Sequence, residues 1–82
     1  MTTNDKHAWM ELGGRRMRGR RTDLGLSIDE VAQACGVAAS SVSRWENGDR
    51  DPMRGGSTLQ LQRALRLRSF SRLYLEGELE EA

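Results

Sequence analysis

Cysteine occurs once in this 82-residue chain, at Cys35, and histidine once, at His7. A single cysteine excludes an internal disulfide and any zinc site built on several cysteines. His7 alone does not make a metal site either. Cys35 is expected as a small core residue and His7 as part of an N-terminal arm. No apolar run approaches the roughly 18 residues that a membrane helix needs. The opening MTTNDKHAW is polar and has no signal-peptide core. These absences predict a soluble, cytoplasmic protein with no metal, no cofactor and no membrane partner. Strand signals are nearly missing too: there is no sustained apolar/polar alternation, and β-branched residues are few. Catalytic patterns are equally scarce. Glu46 has no histidine or second carboxylate at a useful spacing, and Asp49 and Asp51 fall in a run of turn formers. The chain is not expected to be an enzyme. Its length suits one domain, and a domain this small buries only about 60% of its unfolded surface, which leaves little room for an enclosed pocket.

What is present is arginine. The formal net charge of +1 conceals an asymmetry: residues 1–75 hold all 13 basic residues against eight acidic ones, whereas residues 76–82 add Glu76, Glu78, Glu80 and Glu81 and no base. Twelve of the basic residues are arginine, whose planar fork suits bidentate contact with phosphates and guanine edges. Five of them, Arg15, Arg16, Arg18, Arg20 and Arg21, crowd into seven positions. Such a cluster repels itself unless counter-charged, and phosphate contact is expected for two or three of its members, Arg18 and Arg21 among them.

Helical signals recur along the chain. A first helix is predicted from about Trp9 to Leu24, starting loosely because Gly13, Gly14 and Gly19 each weaken a helix by about 1 kcal/mol relative to alanine. Met17, Leu24 and Leu12 would supply its inner face. A second helix starts at a capping box, Ser27-Ile28-Asp29-Glu30, with Val31, Ala32 and Cys35 on one face and Gly36 as its stop. A third runs from about Ala39 to Glu46. Val42 and Trp45 share its inner face, so Trp45 is read as core; Ala39, Ser40, Ser43 and Arg44 lie opposite, and Asn47-Gly48 ends it. After a loop over 49–57, a fourth helix is predicted over about Thr58 to Leu67 and a fifth over about Phe70 to Glu76. The division predicted is a flexible arm at 1–10, a domain at 11–76 and an acidic tail at 77–82.

Two short helices joined by a glycine turn make a helix-turn-helix. Counted from Ile28, Ala32 is fifth, Gly36 ninth and Val42 fifteenth. Ala32 is small where the two helices cross, and Gly36 tolerates the left-handed backbone of a tight turn. Residues 25–48, GLSIDEVAQACGVAASSVSRWENG, resemble the helix-turn-helix of the lambda repressor/Cro type, the XRE family. The likeness extends upstream through MRGRR at 17–21 and downstream through Pro52 to Leu65.

That resemblance implies an all-α, compact five-helix domain with its helix-turn-helix at the second and third helices. It implies binding to a double-stranded DNA operator, with the third helix in the major groove. Carried over by position, Ala39, Ser40, Ser43 and Arg44 would face base edges, and Ser41, Asn47 and neighbouring Arg50 would meet phosphates. Arg21 and Glu46 match positions that form an ion pair in such domains, with the arginine also near the DNA backbone. One departure stands out. The second helix often begins with a glutamine that touches phosphate, and Ile28 occupies that place here, so Ser27 and Gln33 are the substitutes. The reading face is thin as well: Ala39 can touch only a thymine methyl, Ser40 and Ser43 discriminate weakly, and Arg44 alone can read guanine bidentately.

A transcriptional regulator acting by operator occupancy, most often as a repressor, is the function these features predict. One recognition helix reads only about four or five base pairs, so a homodimer on two half-sites about one helical turn apart is expected. The fifth helix would provide either the dimer surface or closure of the monomer core. The chain has the size of a phage Cro or compact repressor, a controller protein of a restriction-modification system, or an antitoxin. The alternative from another class is an adaptor that reuses the fold to bind a protein.

Overall fold

Four helices follow one another in the computed structural model, which describes the backbone of residues 5–52 and 56–68 and side chains from Met10 onward. They are α1 (Asp5–Asp23), α2 (Ile28–Cys35), α3 (Ala39–Glu46) and α4 (Thr58–Ala64). No β-strand occurs among the described residues. The fifth helix predicted over 70–76 and the acidic tail at 77–82 lie outside the described residues.

Helix α1 begins at Asp5 rather than near Trp9, so residues 5–10 of the predicted arm are helical. Nothing in DKHAWMEL breaks a helix. The buried stripe of α1 is Met10, Gly13, Gly14, Met17 and Arg20, a 3–4 residue repeat that keeps one face inward. Gly14 is there for space. A Cβ at this position would sit 2.7 Å from the carbonyl oxygen of Trp45 and closer still to that of Glu46. Only a bare backbone lets α1 pass this close to the C-terminal turn of α3. Gly48 repeats the device from the other side: its φ is 78°, and a Cβ on it would approach Glu11 Cγ at 3.0 Å.

Helix α2 is capped at both ends. The Ser27 hydroxyl accepts from the Glu30 amide at 3.0 Å, and the Ser27 amide donates to Glu30 Oε1 at 2.8 Å, which completes the capping box. At the far end Gly36 takes φ 69°. Its amide donates to Gln33 O and that of Val37 to Ala32 O, the paired bonds of a Schellman turn. The same pair of bonds ends α1 at Gly25, α3 at Gly48 and α4 at Arg66.

At α4 the motif shortens the helix predicted over Thr58 to Leu67. Arg66 turns left-handed, with φ 54°, and directs Leu67 back into the core. The carbonyls released there are taken up by a buried side chain: Arg20 Nε donates to Leu65 O at 2.8 Å and Arg20 Nη2 to Arg66 O at 3.2 Å.

The core gathers Met17 from α1, Val31, Ala32 and Cys35 from α2, Val42 and Trp45 from α3, and Leu61, Leu65 and Leu67 from α4 and its exit. Ile28 and Ala39 pack on its edge. Burial pushes the Cys35 thiol above its ordinary pKa, which keeps it protonated and unreactive at neutral pH.

Candidate nucleic-acid interface

With Val42 and Trp45 fully turned inward, helical geometry decides what α3 shows to solvent. Ser40, Arg44 and Asn47 are exposed and lie four and three residues apart; Ala39, Ser41 and Ser43 flank them half-buried. The outermost stripe is therefore narrower than the face predicted from sequence. Ala39 is drawn partly under by its packing on the core, and Asn47, just past the helix, completes the line.

Beside this stripe stands a cluster of charge. The Glu46 side chain is 1% exposed, yet it is surrounded by cations. Arg21 Nε donates to Glu46 Oε2 at 2.6 Å and Arg21 Nη2 to Glu46 Oε1 at 3.2 Å. Arg18 Nε adds a third bond to Oε1 at 3.3 Å. A buried carboxylate is tolerable only when paired and hydrogen-bonded, and this one is held by both arginines. Arg21 also donates through Nη1 to Leu26 O at 2.9 Å, so it ties α1, the turn before α2 and α3 together. Its side chain is 12% exposed. The hydrogen bond to Glu46 raises the Arg21 pKa above its ordinary value, while burial opposes the shift and the Glu46 charge adds to it. A raised folded-state pKa contributes stability at every pH below the unfolded value and is lost only as pH rises through the folded value. For an arginine this keeps the Arg21 charge in place across the neutral range.

Arg18 is different: its side chain is 54% exposed, and Nη2 donates to Asn47 Oδ1 at 2.9 Å. The other predicted phosphate contacts are scattered in exposure and position. Ser27, Gln33 and Arg50 are exposed, Ser27 with its hydroxyl accepting inside the capping box. Glu30 binds back onto the start of α2, so that helix end already carries an anion of its own. Ile28 packs toward the core, which accounts for an apolar residue where the resemblance implies a glutamine. Arg15 is exposed, whereas Arg20 is buried. That role of Arg20 as a clamp on the exit of α4 was missed from sequence, where the five arginines look alike. A 3–4 residue repeat with Gly14 and Met17 was the available signal.

Among the described residues no group of histidine, cysteine, aspartate or glutamate could hold a metal ion, and no helix is long and apolar enough to cross a membrane. What the site presents is a short polar helix face with an exposed arginine, Arg44, flanked by Arg18 and Asn47.

A family model described as helix-turn-helix matches residues 17–54. Over 72 residues the sequence is 32% identical to the HTH-type transcriptional repressor RghR of Bacillus subtilis (strain 168), covering 88% of this chain and 53% of that relative. The chain thus spans about half the length of the curated relative it matches.

Proposed function

From the match of a helix-turn-helix family model to residues 17–54 and the likeness to a transcriptional repressor, we propose that this chain is an XRE-type helix-turn-helix protein and a sequence-specific DNA-binding regulator of transcription. It acts as a repressor by occupying an operator, in the cytoplasm, with α3 in the major groove. The observation that carries this reading is the stripe of Ser40, Arg44 and Asn47, exposed on a short helix whose other face is sealed into the core by Val42 and Trp45. A helix held this rigidly can present side chains to base edges at a defined angle. The name of the relative, a transcriptional repressor, supports the direction of control.

In this reading Arg44 reads a guanine, Ser40 and Ser43 contact base edges weakly, and Ala39 meets a thymine methyl. Arg18, Ser41, Asn47 and Arg50 face phosphates, with Ser27 and Gln33 at the start and middle of α2. Arg21 contributes chiefly by holding Glu46. So few reading groups require a second subunit, and the chain binds as a homodimer on two half-sites about one helical turn apart.

Selection of bound duplexes from a random pool tests this directly. A palindrome should be recovered, and no enrichment even at low salt would overturn the proposal. If six phosphates are neutralised, log affinity should fall against log salt with a slope of about −5. Arg44→Ala should cost on the order of 1–3 kcal/mol on the selected site and relax one base position. Equal weakening on all sequences would assign Arg44 to a phosphate instead.

A further inference from the structure

We propose that Arg18 is a positioning residue for Asn47, and that the two form one oxyanion clamp for a DNA phosphate. The proposal rests on the DNA-binding reading above and adds to it a coupling between two side chains on different elements. Its basis is a hydrogen-bond polarity. Arginine has donors only, so the Asn47 atom 2.9 Å from Arg18 Nη2 is the carbonyl oxygen Oδ1. The Asn47 amide nitrogen therefore lies on the opposite side of the carboxamide and takes no acceptor among the described residues. An exposed asparagine is thereby turned into an outward donor.

Both ends of the contact are fixed. Arg18 is anchored through Nε to Glu46, which Arg21 holds by two bonds, and Arg21 is in turn bonded to Leu26 O. On the other side, the Asn47 backbone N–H donates to Ser43 O at 3.0 Å, closing the last turn of α3. Gly14 packs against the carbonyls just before it. What stays soft at Asn47 is its side chain, and Arg18 determines which way that carboxamide faces. Without Arg18 the amide can present its oxygen outward, where it repels a phosphate. With Arg18, the Asn47 amide and the rest of the half-exposed guanidinium offer donors of one sign to the same oxyanion, the arrangement that makes charge-assisted bonds strong.

A double-mutant cycle with Arg18→Ala and Asn47→Ala, measured on a selected duplex, tests the coupling. Both side chains are exposed, and circular dichroism would check that each variant keeps the fold. With Arg18 present, Asn47→Ala should weaken binding roughly tenfold or more, the scale of a hydrogen bond to a charged group. In the Arg18→Ala background the same change should cost about twofold or less, because interacting residues do not add. The charge lost with Arg18 appears in both halves of the cycle and cancels. Independent, multiplicative effects would overturn the proposal. A second readout needs no DNA: nitrogen relaxation of the Asn47 side-chain amide should show it ordered in the wild type and mobile in Arg18→Ala. An amide equally mobile in both would overturn the positioning role. If the wild type bound no duplex at low salt, the DNA reading would fall and the clamp with it. An ordered amide in that case would show that the failure lay in the ligand and not in the positioning.

Discussion

Gly14→Ala is expected to destabilise the domain by about 3 kcal/mol, at the upper end of the usual range for overpacking, while Gly19→Ala is expected to stabilise it by up to about 1 kcal/mol. Both glycines sit inside α1, and helix propensity alone assigns both substitutions the same favourable sign. The surroundings separate them. A methyl at Gly14 meets the backbone carbonyls of Trp45 and Glu46, whereas a methyl at Gly19 has nothing within 4 Å. Backbone oxygens at the end of a packed helix cannot swing aside as a flexible side chain would, so relief requires α1 and α3 to separate. Urea denaturation of the two variants, followed by helical circular dichroism, reads the signs directly. Stabilisation by Gly14→Ala would mean that the two helices do not approach as described.

Removing the carboxylate of Glu46 is the second large effect. Glu46→Ala is expected to cost about 3 kcal/mol, near the lower bound for breaking a buried ion pair by deleting one partner. The loss falls on Arg21, whose side chain is 12% exposed and keeps its bond to Leu26 O. Arg18 adds little to the penalty, because it is half-exposed and can rehydrate. Glu46→Gln should cost less, since the carboxamide oxygen still accepts from an arginine. In a domain this small, stability is a narrow margin, and a loss of that size leaves a large unfolded fraction. Thermal and chemical denaturation would measure it. A Glu46→Ala variant within about 1 kcal/mol of wild type would mean that the pair contributes little to the fold.

These two positions mark where reading from sequence succeeds and where it stops. Ser27 with Glu30, Gly36, and the phase of Val42 with Trp45 are local signals. Each depends on neighbours a few residues away, and α2 and α3 form within the predicted bounds. Gly14 depends on what lies across from it. Its neighbours at Trp45 and Glu46 are some thirty positions distant in the chain, so sequence alone reports its helix propensity and not its steric role. Arg66 hides in a similar way. A left-handed helix end usually announces itself as glycine, and here an arginine takes φ 54°, so α4 stops three residues before the apolar pattern does. Within the site, the exposure of Arg44 was legible from helical phase. The pairing of Arg21 with Glu46 was implied by the resemblance and is present; the roles of Arg18 and Arg20 were not legible, because identical side chains on one helix differ only in what they face.

The bonds from Arg20 to the carbonyls of Leu65 and Arg66 also bear on where this domain can be cut. They join positions 45 and 46 residues apart and close the chain on itself beyond the last turn of α4. The segment that carries the family signature, 17–54, contains neither those acceptors nor the core residues Leu61, Leu65 and Leu67. Excised at those limits, it would expose the apolar faces of α2 and α3 and take the Leu65 and Arg66 carbonyls away from the buried Arg20 guanidinium. The recognisable motif is therefore smaller than the packed core, whose described residues run from Met10 to Leu67.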